Sequence, residues 1–400
     1  MTPLTPQDEK ACIEFLQELI RIPSFSGQEA AVAARVADEM RRVGFPSVQR
    51  DRAGNIIGRI GSGERRLLFN GHMDIVGTGN RAAWTHDPFE AHVENAVLFG
   101  RGAVDMKSGL AAMIYGVKSL LARQPSLEGE IIVAAVVQEE PCEGMAMQIL
   151  MEQEGLWPSH VVLGEPTNLQ VALGQRGRVE LRVETQGRAC HSSSPHLGEN
   201  ALNAAAKVIF GIDLLGTRLA GDPDLGRGSM AVTGITCSAN SRNAVPDHCE
   251  LVIDRRLTLG ETQERAVAEV RQIMEREGVK GQVRVAEYET RTYTGHVSRG
   301  REYYPPWLMP RDAPLVKQVI KSVARVTGKN PHSIIWPFSS DGTYTRGVAG
   351  VPTVGFGPGD PTLAHTVDEH VRLEDVLLAA RGYAAIAQEI VGEKLAVGRF

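Results

Sequence analysis

Several protein classes are excluded by what the sequence lacks. Its five cysteines, Cys12, Cys142, Cys190, Cys237 and Cys249, are odd in number, far apart and free of any C-x-x-C pair. That spacing argues against a disulfide framework and against a thiolate zinc site, and it suits a reducing cytoplasm. The longest purely apolar run, Ile131–Val137, is about a third of the ~20 residues that cross a bilayer, so no transmembrane segment is expected. The opening residues MTPLTPQDEKACIEFLQELIRI place acids ahead of any apolar stretch. They read as an amphipathic helix and not as a secretory leader. A basic excess is missing as well: Lys+Arg 43 stand against Asp+Glu 48, a formal charge of −5, with both signs dispersed. Neither nucleic acid nor an anionic membrane is an expected partner. There is no G-x-S-x-G elbow, no G-x-x-x-x-G-K-[ST] loop and no G-x-G-x-x-G between strand and helix, so serine hydrolase, nucleotidase and dehydrogenase readings lose their main support.

What remains is a globular chain of 400 residues, 42% apolar and 23% charged, long enough for two or three domains. Doubly apolar strands alternate with helices in the first part. Leu67-Leu68-Phe69 runs into Asn70-Gly71-His72, a helix follows from about Lys107 to Leu121, IIVAAVV runs into Gln138-Glu139-Glu140, and HVVLG runs into Glu165. This pattern predicts a mostly parallel sheet with helices on both faces. From about Arg178 the periodicity becomes strictly alternating. The order β-α-β-β-α-β follows, with helices near 200–215 and 262–277, as in a ferredoxin-like unit. Signals of the first kind return after REYYPPW, in Pro314–Val326, VPTVGFG and Glu374–Ile390. The expectation is one domain of residues 1–177 and 296–400, interrupted by a second of residues 178–295.

Taken singly, the candidate residues have ordinary structural readings. Asp105, in GRGAVDMKSG, suits a helix start; Glu139 and Glu140 suit a solvated strand end; His72-Met73-Asp74 is a common chance pairing. His86, His196, His332 and His370 read as surface or loop residues. In combination they point elsewhere. His72, Glu140 and Glu165 each stand just past a predicted strand, Asp105 opens a helix behind one, and His365 follows VPTVGFG. The ends of parallel strands converge in space. Two histidines and three carboxylates make a nitrogen and oxygen set suited to two zinc ions, or to cobalt or manganese, with room for water.

In GHMD, WTHDPFEA, FGRGAVDMKSGLAA, QEEPCEG, GEPT, GRACHSSSPHLGENA, NAVPD, FGPG and AHTVDE, the sequence resembles the zinc-dependent aminoacylase/carboxypeptidase metallopeptidase family. That family includes acetylornithine deacetylase, succinyl-diaminopimelate desuccinylase and glutamate carboxypeptidase. GQRGR, SRNAVPD, DRRLTLGET and WPFSSDG look most like its selenium-metabolism-linked hydrolase branch. The resemblance implies that Asp105 bridges two divalent ions, with His72 and Glu165 on one and Glu140 and His365 on the other. It makes Glu139 the general base and Asp74 the partner of His72, with a cis peptide after Asp105. It also implies a catalytic α/β domain interrupted by a lid through which two chains dimerise. His191 in that lid would serve the oxyanion, while Asn243 and Arg256 would hold substrate amide and carboxylate. Arg242, in a loop that lacks the family's usual Gly-Gly pair, is a rival carboxylate anchor. The expected activity is hydrolysis of the amide bond of a small, carboxylate-bearing N-acyl amino acid or dipeptide-like substrate. A metallo-dipeptidase or carboxypeptidase is the near alternative, and a catalytically silent metal- or peptide-binding homologue the remote one.

Overall fold

The protein is described here by a computed structural model covering residues 4–122, 127–239 and 241–392. The ends of the expected first domain at Met1 and Phe400, and Asn240 of the loop before Asn243, lie outside the described residues. Helices form where apolar periodicity and caps coincide. Thr5 accepts from the Asp8 amide ahead of Pro6–Arg21, Asn200 accepts from Leu202 and Asn203 ahead of Ala201–Gly216, and Thr262 accepts from Arg265 ahead of Gln263–Arg276.

Nine strands make the first sheet. Its middle, in the order Glu130–Val136, Arg66–His72, His160–Leu163 and Thr353–Gly355, is parallel throughout. Antiparallel strands flank it: Ile56–Gly61 pairs with Glu130–Val136, and Val171–Gln175 pairs with Thr353–Gly355. Glu130–Val136 is buried at every position, as is Leu67–His72, which requires cover on both faces. Helices Lys107–Leu121 and Leu373–Val391 pack on each other and on these strands. No described helix is long and apolar enough to cross a membrane.

After Gly177 the chain leaves this sheet and builds a second, wholly antiparallel one. Its main strands lie in the order Ser229–Ser238, His248–Leu257, Gly177–Gln186, Gly281–Val285. Burial alternates residue by residue along Gly177–Thr185 and Cys249–Leu257. Val179, Leu181, Val183, Leu251 and Ile253 form a separate core with Val208, Ile212 and Val270 of the two helices. One face is covered and the other is not.

Two features depart from the sequence expectations. QVRVAEYET is not a single strand: Glu287–Arg291 folds back on Val297–Arg301 as a hairpin, whose turn contains the expected boundary at 295/296. Tyr303–Tyr304 then pairs with Gly177–Gln186 before the chain rejoins the first sheet at Trp307. The expectation against disulfides is also corrected, because Cys237 and Cys249 are joined. They lie 12 residues apart in sequence but face each other across neighbouring strands, a register that spacing alone does not reveal. Cys12, Cys142 and Cys190 are free thiols.

The close approach of Lys107–Leu121 to the strand ends depends on a glycine. A Cβ on Gly109 would lie 2.5 Å from the main-chain oxygen of Gly164, the residue before Glu165. Alanine ordinarily stabilises a helix interior by about 1 kcal/mol relative to glycine. Gly109→Ala is nonetheless expected to destabilise by about 1–3 kcal/mol through overpacking against backbone. Urea unfolding of the variant beside wild type measures the sign.

Candidate active site

The candidate residues meet at the carboxyl ends of the parallel strands. Strand Arg66–His72 ends on His72, whose Nδ1 lies 2.9 Å from the main-chain oxygen of Asp74. A carbonyl oxygen only accepts, so Nδ1 carries a proton and Nε2 is the nitrogen that faces the site. That Nε2 is 2.9 Å from Asp105 Oδ1 and 3.7 Å from Glu165 Oε1. On the other side of Asp105, His365 Nε2 is 3.0 Å from Oδ2 and 3.1 Å from Glu140 Oε2. One carboxylate therefore divides its two oxygens between two imidazoles, with a further carboxylate beyond each.

Local backbone geometry turns both adjacent glutamates inward. Gln138 adopts a left-handed conformation, φ 53°. The Asp74 carboxylate accepts from the amides of Glu139 (3.0 Å) and Glu140 (3.2 Å) and from the Ser26 hydroxyl (2.7 Å). Asp74 therefore supports His72 mainly through its main chain, since its carboxylate lies 3.7 Å from Nδ1 and is engaged in holding this turn. Asp105 is placed by a buried ion pair. Glu369 accepts from the amides of Val104 (2.7 Å) and Asp105 (3.0 Å) and from Arg101 (2.6 Å). The peptide from Asp105 to Met106 is cis.

Charge is strongly perturbed here. Burial, and the charge of Glu165, hold Glu139 well above the usual carboxylate range. Burial and Asp105 do the same to Glu165 and raise Glu140 to about 7. Hydrogen bonding to Asp105 and Glu140 lifts His365 to about 10. Oε1 of Glu139 and Oε1 of Glu140 are buried with no hydrogen-bond partner. Ligating atoms of His72, Asp105 and Glu140, and again of His72, Glu139 and Glu165, fall within 4.8 Å of one another. Orphaned carboxylate oxygens beside imidazole nitrogens are the environment that divalent cations satisfy, and with no thiolate present the set favours zinc, cobalt or manganese. The residues fit the metal centre that the sequence implies.

A cavity of about 310 Å³ opens over these groups, and its wall includes Arg178, Arg256, Glu143, Phe338 and Ser339. Arg256 reaches the cavity. His191, Asn243 and Arg242 do not line it; they are exposed on the second sheet's loops, where the Ser192 amide donates to the Asn243 oxygen at 2.8 Å. Sequence reasoning missed Arg178, Glu143 and Glu369. Glu369 stood in the quoted AHTVDE motif and Arg178 opened an alternating strand, but only the pairing of Arg178 with Arg256 across the sheet brings that second guanidinium into view.

Comparison with known proteins gives a consistent picture. The profile of Peptidase family M20/M25/M40 matches residues 68–389. YgeY of Escherichia coli K12, described as an uncharacterized protein, is 38% identical over 374 residues, 93% of this chain and 92% of that protein. Succinyl-diaminopimelate desuccinylase of Halorhodospira halophila is 28% identical over 392 residues, 95% of this chain and 98% of the enzyme. The fold superposes with a TM-score of 0.73 on the M20 family metallo-carboxypeptidase Sso-CP2 of Sulfolobus solfataricus, at 18% identity, covering 96% of this chain and 99% of that one.

A buried acid beside the site generates a pH prediction. Glu29 accepts from the amides of Gly27 (3.0 Å) and Gln138 (3.2 Å), its second oxygen has no partner, and burial with the nearby Asp74 raises it to about 7. A carboxyl raised from 4.5 in the folded state costs nothing below 4.5 and removes stability as pH rises through about 7. Glu29→Gln should therefore track wild type in acid and exceed it above pH 7. Denaturant titrations across that range test it, and parallel curves for the two proteins would contradict the assignment.

Proposed function

The chain belongs to peptidase family M20/M25/M40, a family of metal-dependent hydrolases, and from that premise we propose that it hydrolyses the amide bond of a small N-acyl amino acid or dipeptide-like substrate bearing a carboxylate. The observation that carries the reading is Asp105, whose two oxygens face His72 and His365 at 2.9 and 3.0 Å, with Glu165 and Glu140 beyond them and Glu139 alongside. His72, Asp105 and Glu165 would hold one zinc ion, and Asp105, Glu140 and His365 the other. Ions bound there polarise a scissile carbonyl and lower the pKa of water. Glu139, orphaned and held in the less acidic range, takes a proton from that water at its carboxylate and hands it to the departing amine. Arg256 and Arg178 present guanidinium groups to a substrate carboxylate.

In this proposal residues 1–177 and 296–400 form the catalytic domain, and residues 178–295 form a ferredoxin-like lid. The order of its strands and helices supports that description. His191, Asn243 and Arg242 stand outside the pocket of their own chain, so lid movement or a second copy has to deliver them. A homodimer through the lid is supported by Leu202, Phe210 and Leu214 exposed along helix Ala201–Gly216, and by Ile235 exposed on Ser229–Ser238, the edge strand of this sheet. Phe210 is 73% exposed. A cytoplasmic location belongs to the same proposal and rests on the three free thiols, with the Cys237–Cys249 disulfide counting against it.

Peptidase action on a free amino terminus is the second reading, and Glu143 favours it. Its Oε1 accepts from Ser339 at 2.7 Å, whereas Oε2 is buried without a partner in the cavity wall, where a substrate ammonium would be received. Release of free amine from N-acetyl, N-succinyl, N-carbamoyl and dipeptide substrates, with zinc, cobalt or manganese added, separates the two.

The division of labour between the adjacent glutamates is directly testable. Glu139→Gln should retain bound metal while kcat falls about 10²-fold or more. Asp105→Ala should lose metal, as measured by equilibrium dialysis. Wild-type turnover in the first variant, or two tightly held ions in the second, would remove the corresponding role.

A further inference from the structure

Away from the catalytic pocket, the segment between Trp84 and the strand His92–Glu94 gathers a second nitrogen and oxygen set. His86, Glu90 and His92 bring one ligating atom each to within 4.8 Å of one another. The two imidazoles stack with ring centroids 3.8 Å apart and planes 18° from parallel. Elsewhere in the chain Nδ1 of His72, of His191 and of His370 each meets an oxygen, but no hydrogen bond engages the His86 or His92 ring among the described residues. Ring nitrogens without a hydrogen-bond partner are open to a ligand role.

The backbone beneath them is already held. The main-chain oxygens of Glu90 and Ala91 accept from Arg21 (3.3 Å) and Gln17 (3.1 Å) of the first helix, and the oxygen of Pro88 accepts from the Arg101 amide (2.9 Å). Ala91, between the two later ligands, sits in the left-handed region at φ 56°. Ligand atoms around a tetrahedral zinc stand roughly 3.4 Å apart, from bond lengths of about 2.1 Å.

We propose that His86, Glu90 and His92 form a further divalent-cation site, taking zinc or a neighbouring imidazole-preferring ion with water in the fourth position. Two imidazoles and one carboxylate select against calcium and magnesium, which take oxygen ligands. The site acts as a clasp. Thr85, next to His86, donates its amide (2.8 Å) and hydroxyl (2.7 Å) to Asp368, in the loop that carries His365 and Glu369. Phe99 meets the His86 ring and then the His370 ring in tilted contacts, at centroid distances of 5.5 and 5.0 Å, toward the same loop. An ion here would fasten residues 86–90 onto strand His92–Glu94, which pairs with Val97–Phe99 and through it with His370–Arg372 behind that loop, while touching no group in the catalytic cavity.

Equilibrium dialysis of the whole protein against micromolar free zinc, with ions counted per chain by mass spectrometry, tests the proposal. Wild type should hold one ion more than His86→Ala/His92→Ala, and Glu90→Gln, whose side chain is exposed, should lose the same ion with its fold intact by circular dichroism. The difference of one ion should persist in the Asp105→Ala background, which separates this site from the catalytic pair. Zinc should also raise the thermal midpoint of the Asp105→Ala chain, and not that of the same chain carrying the two histidine substitutions. Equal ion counts in wild type and Glu90→Gln, or no midpoint shift in the Asp105→Ala chain, would overturn it.

Discussion

Concentrating carboxylates at converging strand ends is the constraint around which the part of the molecule built on the first sheet is organised. A buried carboxylate is stable only beside fixed donors or a cation, and the structure divides its acids accordingly. Asp74, Glu369 and Asp341 are met by donors that cannot leave: two amides and a hydroxyl for the first, two amides and a guanidinium for the second, Asn70 and the Gly144 amide for the third. Among the described residues, Asp105, Glu139, Glu140 and Glu165 accept from no main-chain amide and have imidazoles beside them. The first group shapes the pocket. Under the proposed reading, the second group is left for cations and, at Glu139, for a proton.

This division explains the irregular backbone around the site. Two adjacent glutamates on an extended strand would point to opposite faces, so placing both inward requires a break in the strand, which the left-handed Gln138 supplies. The break is pinned from three directions. Asp74 holds the amides that follow it, Glu29 accepts the Gln138 amide, and the Gln138 side chain donates to the Arg291 oxygen at 2.7 Å. Arg291 ends the first strand of the hairpin, which sequence periodicity had joined to Gly281–Val285. An element lying between the two sheets thus braces the turn that presents the proposed base.

Legibility in the sequence followed how local each feature is. The helices at 107–121, 201–216 and 263–276 and the strands ending on His72 and before Glu139 were readable, because amphipathic period and capping are encoded within a few residues. The five candidate ligands were readable as a set because parallel topology forces strand ends together. The Cys237–Cys249 pairing and the fold-back of Glu287–Arg291 were hidden, since both depend on register between segments that carry no local mark of each other. For the same reason Asp74 was assigned to His72, two residues away, while its carboxylate serves amides some sixty-five positions along the chain.

The same limit applies to substrate recognition, where the second sheet contributes what the first cannot. Arg178 and Arg256 are register partners on neighbouring strands, and Asp254 ties both, accepting from Arg178 Nε at 2.7 Å and from Arg256 Nε at 2.9 Å. Free arginine side chains would lose up to ~2 kcal/mol of rotamer entropy each on binding a carboxylate; here much of that ordering is complete before any ligand arrives. Asp254 neutralises one of the two charges, and Glu180 and Glu302 lie 3.5 and 3.7 Å from Arg178. Under the proposed reading, a substrate carboxylate is received by these two preordered guanidinium groups. Under that reading, discrimination comes from where the preordered guanidinium groups stand relative to Glu139, so that the spacing between carboxylate and scissile bond would decide which substrates fit.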